Sequence, residues 1–380
     1  MTLLSAAALL GRRGLPLIAL TIPPVLLISL SSTVGVSGSV SVERDVRPAT
    51  VLQGGRVTVR LKVSTDRPVT LAVRDSIDAR ARVSRGSTAA LLRLGGSYVL
   101  EYEAELPKRG VYAFGPALVE FTDPLGLWKR VEAIGGESEV VAFPRPWGRV
   151  RIPLRARYTG PWPGEVPSRR SGRGTEFYGL REYVPGDELR RVNWRATARL
   201  GRLVSNEYVE ERVTDVLLVV DAGLRGVLDD EEAERLVDIE ASLAASLAVH
   251  LLRWGNRVGL VARGERAVWV RPGFGRRQVM RLLYHLAELK PGEPAPLDYA
   301  LRMLVPYLLT PNAEVIAVTP LLDPVFAKSI RDLAVEYSVL ILSPSPAPRK
   351  GVAWRLLELE RRNVIAEVSR TCRVEEVKLE

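Results

Sequence analysis

One stretch of this chain places a carboxylate where chemistry could be done. Residues 214–220 are a β-branched and leucine-rich run that ends at Asp221, the pattern of a buried parallel strand presenting an acid at its carboxyl edge. Other chemistry-bearing residues are sparse. Cys372 is the one cysteine, so an internal disulfide is excluded, and with it a disulfide-stapled secreted scaffold. The two histidines, His250 and His285, fall in helix-like stretches, where helix surface or packing is expected rather than a structural zinc site. No Gly-rich loop with a lysine follows a strand, and neither a G-x-S-x-G elbow nor a G-x-G-x-x-G fingerprint after a strand is present. Asp187 and Asp221 are too far apart in sequence to be claimed as a catalytic pair. The chain therefore reads as a non-enzyme with no catalytic residues.

The elements that must hold Asp221 alternate in type. After an acidic first turn at residues 229–232, Leu236, Ile239, Leu243, Leu247 and Leu251 recur at helical spacing. Strands are expected at 257–262, 267–270, 314–319 and 338–342, and helices at 276–289, 297–308 and 324–337. This order predicts a doubly wound α/β domain over residues 214–380, with ligands at the carboxyl ends of its strands. Upstream the hydrophobic period changes to two. Val57, Val59, Leu61 and Val63 alternate with Thr58, Arg60 and Lys62, and Tyr98, Leu100, Tyr102 and Ala104 repeat the pattern. Residues 36–146 are thus expected to form an all-β, immunoglobulin-like sandwich, a spacer or binding module.

At the amino terminus, residues 15–34 carry no charge and follow Arg12 and Arg13. That length and composition predict a membrane anchor in residues 1–35, a single N-terminal span with the side of the soluble domains left open. The 380 residues are 47% hydrophobic with a formal charge of +10, enough for two cores and basic enough to suit an anionic partner. The arginines are interspersed with Glu and Asp, a thermophile-like composition of ion-paired surface, and nucleic acid is not the expected partner.

Between the two globular units, residues 147–213 form an Arg/Trp-rich connecting segment. It is too polar for a buried helix and too aromatic for a flexible linker. Its central residues are Phe177, Arg181, Tyr183, Gly186, Asp187, Arg190, Asn193, Trp194 and Arg199. Two readings stand side by side. In the first, Asp187 pairs with Arg190 or Arg199 while Phe177 and Trp194 pack under the next domain. In the second, the same residues form a partner surface with buried anchors.

The run GTEFYGLREYVPGDELRRVNWRATARLGRLVSNEY in this segment is similar to the signature of domain of unknown function 58 (DUF 58). Lys108-Arg-Gly-Val-Tyr112, Asp123-Pro-Leu-Gly-Leu127 and Phe143-Pro144 agree with it. The resemblance implies a membrane-associated protein partnered with a MoxR-type AAA+ ATPase in assembling or activating other proteins. It departs from the family at the amino terminus, where a pair of membrane helices is common and one clear span appears here.

The C-terminal domain resembles a von Willebrand factor A (vWA) domain, whose strand edge holds a metal through Asp-x-Ser-x-Ser, a loop threonine and an aspartate after the fourth strand. That all-oxygen set suits Mg²⁺. Here Asp221 is kept, Gly223 and Arg225 replace the two hydroxyl positions, and Asp323 stands several residues beyond Thr319-Pro320. The expectation is a degenerate site with no cofactor, where Asp221 pairs with a basic side chain and Arg225 takes the cation's place. The alternatives are a Mg-dependent vWA ligand-binding module and, less favoured, a nucleic-acid binder using the basic segment.

Overall fold

The computed structural model describes residues 23–27, 40–66, 69–123, 127–146, 166–212, 215–293, 305, 309 and 313–377, with backbone alone at 94, 166–178 and 207–212. Contacts divide the chain into one unit ending at Phe143 and another beginning at Pro144.

The first unit is strand-rich and sandwich-like. One sheet runs in the order β1 (Val40–Arg47), β3 (Gly55–Thr65), β7 (Ser97–Leu106), β5 (Arg82–Gly86). The other runs β2 (Thr50–Leu52), β10 (Ser138–Phe143), β8 (Gly110–Thr122), β4 (Val69–Ile77), β6 (Ala89–Leu94), with β9 (Lys129–Ile134) paired to β8. Period-two alternation sets the faces. Leu61, Val63, Leu71, Val73, Val119 and Phe121 close one core cluster, and Val57, Val59, Tyr102, Ala104, Tyr112 and Phe114 close another. Each fully buried aliphatic or aromatic side chain contributes about 1.5–3 kcal/mol of transfer free energy. One buried polar cluster is paired: Arg44 bonds Asp75 at 2.5 Å, and the Tyr102 hydroxyl donates to Asp75 at 2.8 Å. Burial and the adjoining carboxylate push that phenol's pKa up.

The second unit opens with an antiparallel two-stranded ladder, β11 (Val166–Glu182) and β12 (Val204–Arg212). Between them lie a 3₁₀ turn (Leu189–Arg191) and helix α1 (Trp194–Leu200). A mixed α/β region follows. Its sheet has the order β15 (Val268–Gly273), β14 (Arg257–Arg263), β13 (Asp215–Asp221), β16 (Glu314–Val318), β17 (Ser338–Pro344), β18 (Arg373–Val377). β15 runs antiparallel to β14, and the other pairs are parallel. The helices are α2 (Asp230–Arg253), α3 (Arg276–Glu288), α4 (Pro324–Leu333) and α5 (Val352–Val368). α2 and α3 pack together, as do α4 and α5. β13 is buried at every position, which is why its sequence is a continuous apolar run rather than an alternation.

One expectation changes here, and another lies outside the described residues. No helix among the described residues is long and apolar enough to cross a membrane. The single N-terminal span is thereby corrected; of that stretch the described residues are 23–27, and they are helical. The helix expected at 297–308 lies outside the described residues apart from Val305, which packs in the α/β core.

Candidate functional site

The carboxyl edge of the α/β sheet gathers charge. Asp221 ends β13 and stands in register with Arg263 at the end of β14. Arg263 Nε donates to Asp221 Oδ1 at 2.6 Å, and its Nη2 donates to Asp323 Oδ2 at 2.6 Å. Thr319, one residue past β16, donates its hydroxyl to Asp221 Oδ2 at 2.9 Å. The Gly223 N–H donates to Asp221 Oδ1 at 3.1 Å. The Arg263 guanidinium also lies 4.4 Å from the Phe326 ring centroid, a cation–π contact on its apolar side. The Arg263 and Asp221 side chains are buried. Burial alone would lower the guanidinium's pKa, yet Asp221 and Asp323 outweigh it and hold the net shift upward.

Local sequence explains the geometry. Asp323 has a second task as the N-cap of α4, accepting from the Val325 and Phe326 N–H groups at 2.9 and 3.3 Å. The loop that carries it turns at Leu321, whose φ of 56° is in the left-handed region and costs about 1–2 kcal/mol. Thr319 Oγ1 accepts from the Leu321 N–H at 3.2 Å. Arg361 of α5, also buried, donates to the Pro320 carbonyl at 2.9 Å and to the Ser343 hydroxyl at 3.0 Å. Gly223 is required by space: a Cβ there would stand 2.8 Å from Arg263 Nε and 2.9 Å from its Cζ.

The expected role of Arg225 is overturned. Its side chain is half exposed and lies 3.9 Å from Asp230, not against Asp221. The basic partner of Asp221 is Arg263, which sequence reading missed. The available signal was Arg263 itself, an arginine closing a strand-like run that ends at the same sheet edge as Asp221. A side chain at position 223 is excluded for the same reason, since the guanidinium takes that space. Asp323, displaced in sequence, is brought to the cluster by the turn at Leu321. The donor set thus does not suit a cation, because a guanidinium already bonds both carboxylates. Cys372 is buried in the α/β core. His250 lies against Trp254 with the rings tilted by 44°, and His285 lies edge-on to Tyr284.

Phe177 and Arg181 lie in β11, and the other signature residues lie between β11 and β12. Arg181 donates to Asp187 Oδ1 at 2.6 Å, and the Val184 N–H donates to Oδ2 at 3.0 Å. These bonds hold the Asp187 carboxyl below the usual carboxylate range, Arg181 first and the Val184 N–H second. The Tyr183 hydroxyl reaches the Asp187 carbonyl at 3.4 Å, and Gly186 takes the positive φ of 110° that the turn needs. Arg190 bonds Glu188 at 2.5 Å. Asn193 caps α1 by accepting from the Ala196 N–H at 2.9 Å, and donates to Asn206 of β12 at 2.8 Å. Gly201 closes the helix with a left-handed φ of 68°.

The anticipated pairing of Asp187 with Arg190 or Arg199 gives way to pairing with Arg181. Trp194 is 64% exposed rather than packed beneath a neighbour. Arg199 is exposed. The Phe177 side chain lies outside the description, and its backbone pairs with Tyr208. In the same motif the aliphatic side chains of Leu180, Val184, Leu189, Leu200 and Leu203 are also exposed.

The family described as Protein of unknown function DUF58 matches residues 179–349. The match to DUF58 takes in most of the signature residues together with Asp221, Arg263 and Asp323. An uncharacterized protein of Mycobacterium tuberculosis is 26% identical over 206 residues, 52% of this chain and 64% of that protein. Uncharacterized protein YeaD of Bacillus subtilis is 22% identical over 191 residues, 50% of this chain and 46% of that protein. The chain thus spans about half to two-thirds of the length of the curated relatives it matches. Among solved structures, the cupredoxin domain of amoB from Nitrosocaldus yellowstonii is similar at a TM-score of 0.21 and 10% identity, covering 31% of this chain and 99% of that one. The PapD-like domain of human CEP192 is similar at 0.21 and 16%, covering 27% and 86%. Neither likeness bears on activity.

Proposed function

We propose that this chain is a non-enzymatic adaptor that binds protein partners through the exposed face of its signature motif. Trp194 and five aliphatic side chains stand in solvent on a motif whose polar groups are already bonded to each other; that observation carries the reading. A rigid, hydrogen-bonded platform with an exposed tryptophan and flanking arginines has the composition of an interface anchor. The α/β region is read as vWA-like, supported by its strand order with one antiparallel edge strand, and the sandwich as immunoglobulin-like. On the DUF58 resemblance, the partner class is a MoxR-type AAA+ ATPase. Binding is independent of divalent cations, because a cation at the sheet edge would have to displace Arg263 from two carboxylates. The Mg-dependent alternative is disfavoured on that ground.

The test is capture of the purified MoxR-type ATPase of the source organism on the full chain, with and without EDTA. Capture that persists in EDTA and is lost in Trp194→Ala is the expected result. Capture abolished by EDTA, or indifferent to Trp194→Ala, would overturn the proposal.

A further inference from the structure

A second exposed surface lies away from the signature motif, on β15 and α3. From residue 266 to 287 the chain has five arginines and no Asp, Glu or Lys. Arg271, Arg276, Arg277 and Arg281 are exposed, and among the described residues their guanidinium groups make no ion pair or hydrogen bond. Elsewhere on the surface many arginines are matched, as in Arg60–Glu101, Arg130–Glu132 and Arg362–Glu358. Beside the unmatched ones, Phe274 is 73% exposed, and Met280 and Tyr284 also face solvent. The strip is held firmly from behind. Gln278 is buried and donates to the Val258 and Arg271 carbonyls at 2.8 and 2.9 Å, while Leu282, Leu283 and Leu286 pack inward.

This arrangement works against the stability of its own helix. α3 begins at Gly275 with no side-chain cap and no acid in its first turn, and Arg276 and Arg277 there oppose the helix dipole. Local choices that disfavour the fold are expected where function requires them.

We infer that the strip from Arg271 to Tyr284 docks an acidic protein surface, one that presents carboxylates around an apolar centre. Phe, Tyr, Met and Arg without Lys is the enriched composition of protein interfaces, and a guanidinium pairs a carboxylate in bidentate fashion. Single-stranded nucleic acid fits less well. Phe274 stands before the helix and Tyr284 in its third turn, and no run of aromatics there offers a platform on which successive bases could stack. A lipid surface also fits less well, because the helix's apolar face is already used in the domain core, and interfacial helices bury that face in the bilayer.

The experiment uses the full chain and three defined probes at physiological salt: a helical amidated peptide with glutamates flanking a Leu/Tyr face, an oligothymidylate, and phosphatidylglycerol vesicles. The peptide is expected to bind most tightly, and Arg276→Glu/Arg277→Glu/Arg281→Glu to weaken it about tenfold or more. That variant should stay folded, since acids in the first turn suit the dipole, and circular dichroism checks this. Arg276→Gln/Arg277→Gln should show an intermediate loss. Trp194→Ala should leave peptide binding unchanged, which separates this surface from the signature motif. Peptide binding indifferent to the charge reversal, or tighter binding of the oligonucleotide or the vesicles, would overturn the inference.

Discussion

The sheet edge and the signature motif handle their polar groups in opposite ways. At the sheet edge, Asp221, Arg263 and Asp323 satisfy one another and are closed over by Phe326. In the signature motif Arg181, Asp187, Asn193 and Asn206 are equally well bonded, but around them tryptophan and leucine face water. A buried charge cluster must be complete, because an unmatched charge in low dielectric is costly. An exposed one can be opened cheaply, so its bonds serve to hold a shape. On the proposed reading, stability depends on the first and recognition on the second.

The largest test of that contrast is Arg263→Ala. Removing one partner of a buried ion pair destabilises by about 3–5 kcal/mol, here leaving Asp221 and Asp323 facing each other. Thermal or urea unfolding measures the loss. The same variant exposes an aspartate pair and the Thr319 hydroxyl as hard oxygen donors, so millimolar Mg²⁺ should raise its melting temperature and leave the wild type unmoved. A wild type stabilised equally by Mg²⁺ would break the comparison.

Gly223→Ser comes next. It adds a hydroxyl but pushes a Cβ to within 2.9 Å of the guanidinium, and such overpacking costs about 1–3 kcal/mol. In an Arg263→Ala background the clash is gone, so a double-mutant cycle should show strong coupling between the two positions.

In the signature motif the effects shrink. Asn193→Ala removes the α1 cap, worth about 1 kcal/mol. Asp187→Asn should act through pH. The Asp187 carboxyl is held below its ordinary value of 3.8, so its contribution is present above that value and is lost as pH falls through the lower, folded-state value. The variant should therefore flatten the acid limb of the unfolding curve and leave its alkaline limb unchanged.

The two regions also differed in how far they could be read in advance. Strands β13, β14, β16 and β17 were legible as apolar runs, since a strand buried on both faces has nothing polar to interrupt it. α5 and β18 were not read at all. α5 buries few of its residues, Arg361 and Val368 among them, and so shows little amphipathic signal. The charge partner of Asp221 was misassigned to Arg225 because sequence proximity was followed, whereas parallel pairing brings together strand ends 42 residues apart. In the motif, Arg181, Asp187 and Asn193 stand out through the resemblance to the DUF58 signature. The direction in which Trp194 points was not legible, because a seven-residue helix can present any side outward.

That direction gives the smallest expected effect on stability and the sharpest on function. Trp194 and the aliphatic side chains of the same motif are exposed, so truncation of the indole removes little buried area and should change unfolding free energy by no more than about 0.5 kcal/mol. If the motif is a docking platform, the same change removes its aromatic anchor, and anchors of that kind are worth about 2 kcal/mol or more in binding. Trp194→Ala should therefore separate the two quantities, with near-native melting and at least a tenfold loss of partner affinity. A variant that melts early would instead mean that the indole is covered within the molecule, and the contrast between a closed edge and an open motif would fail at its central residue.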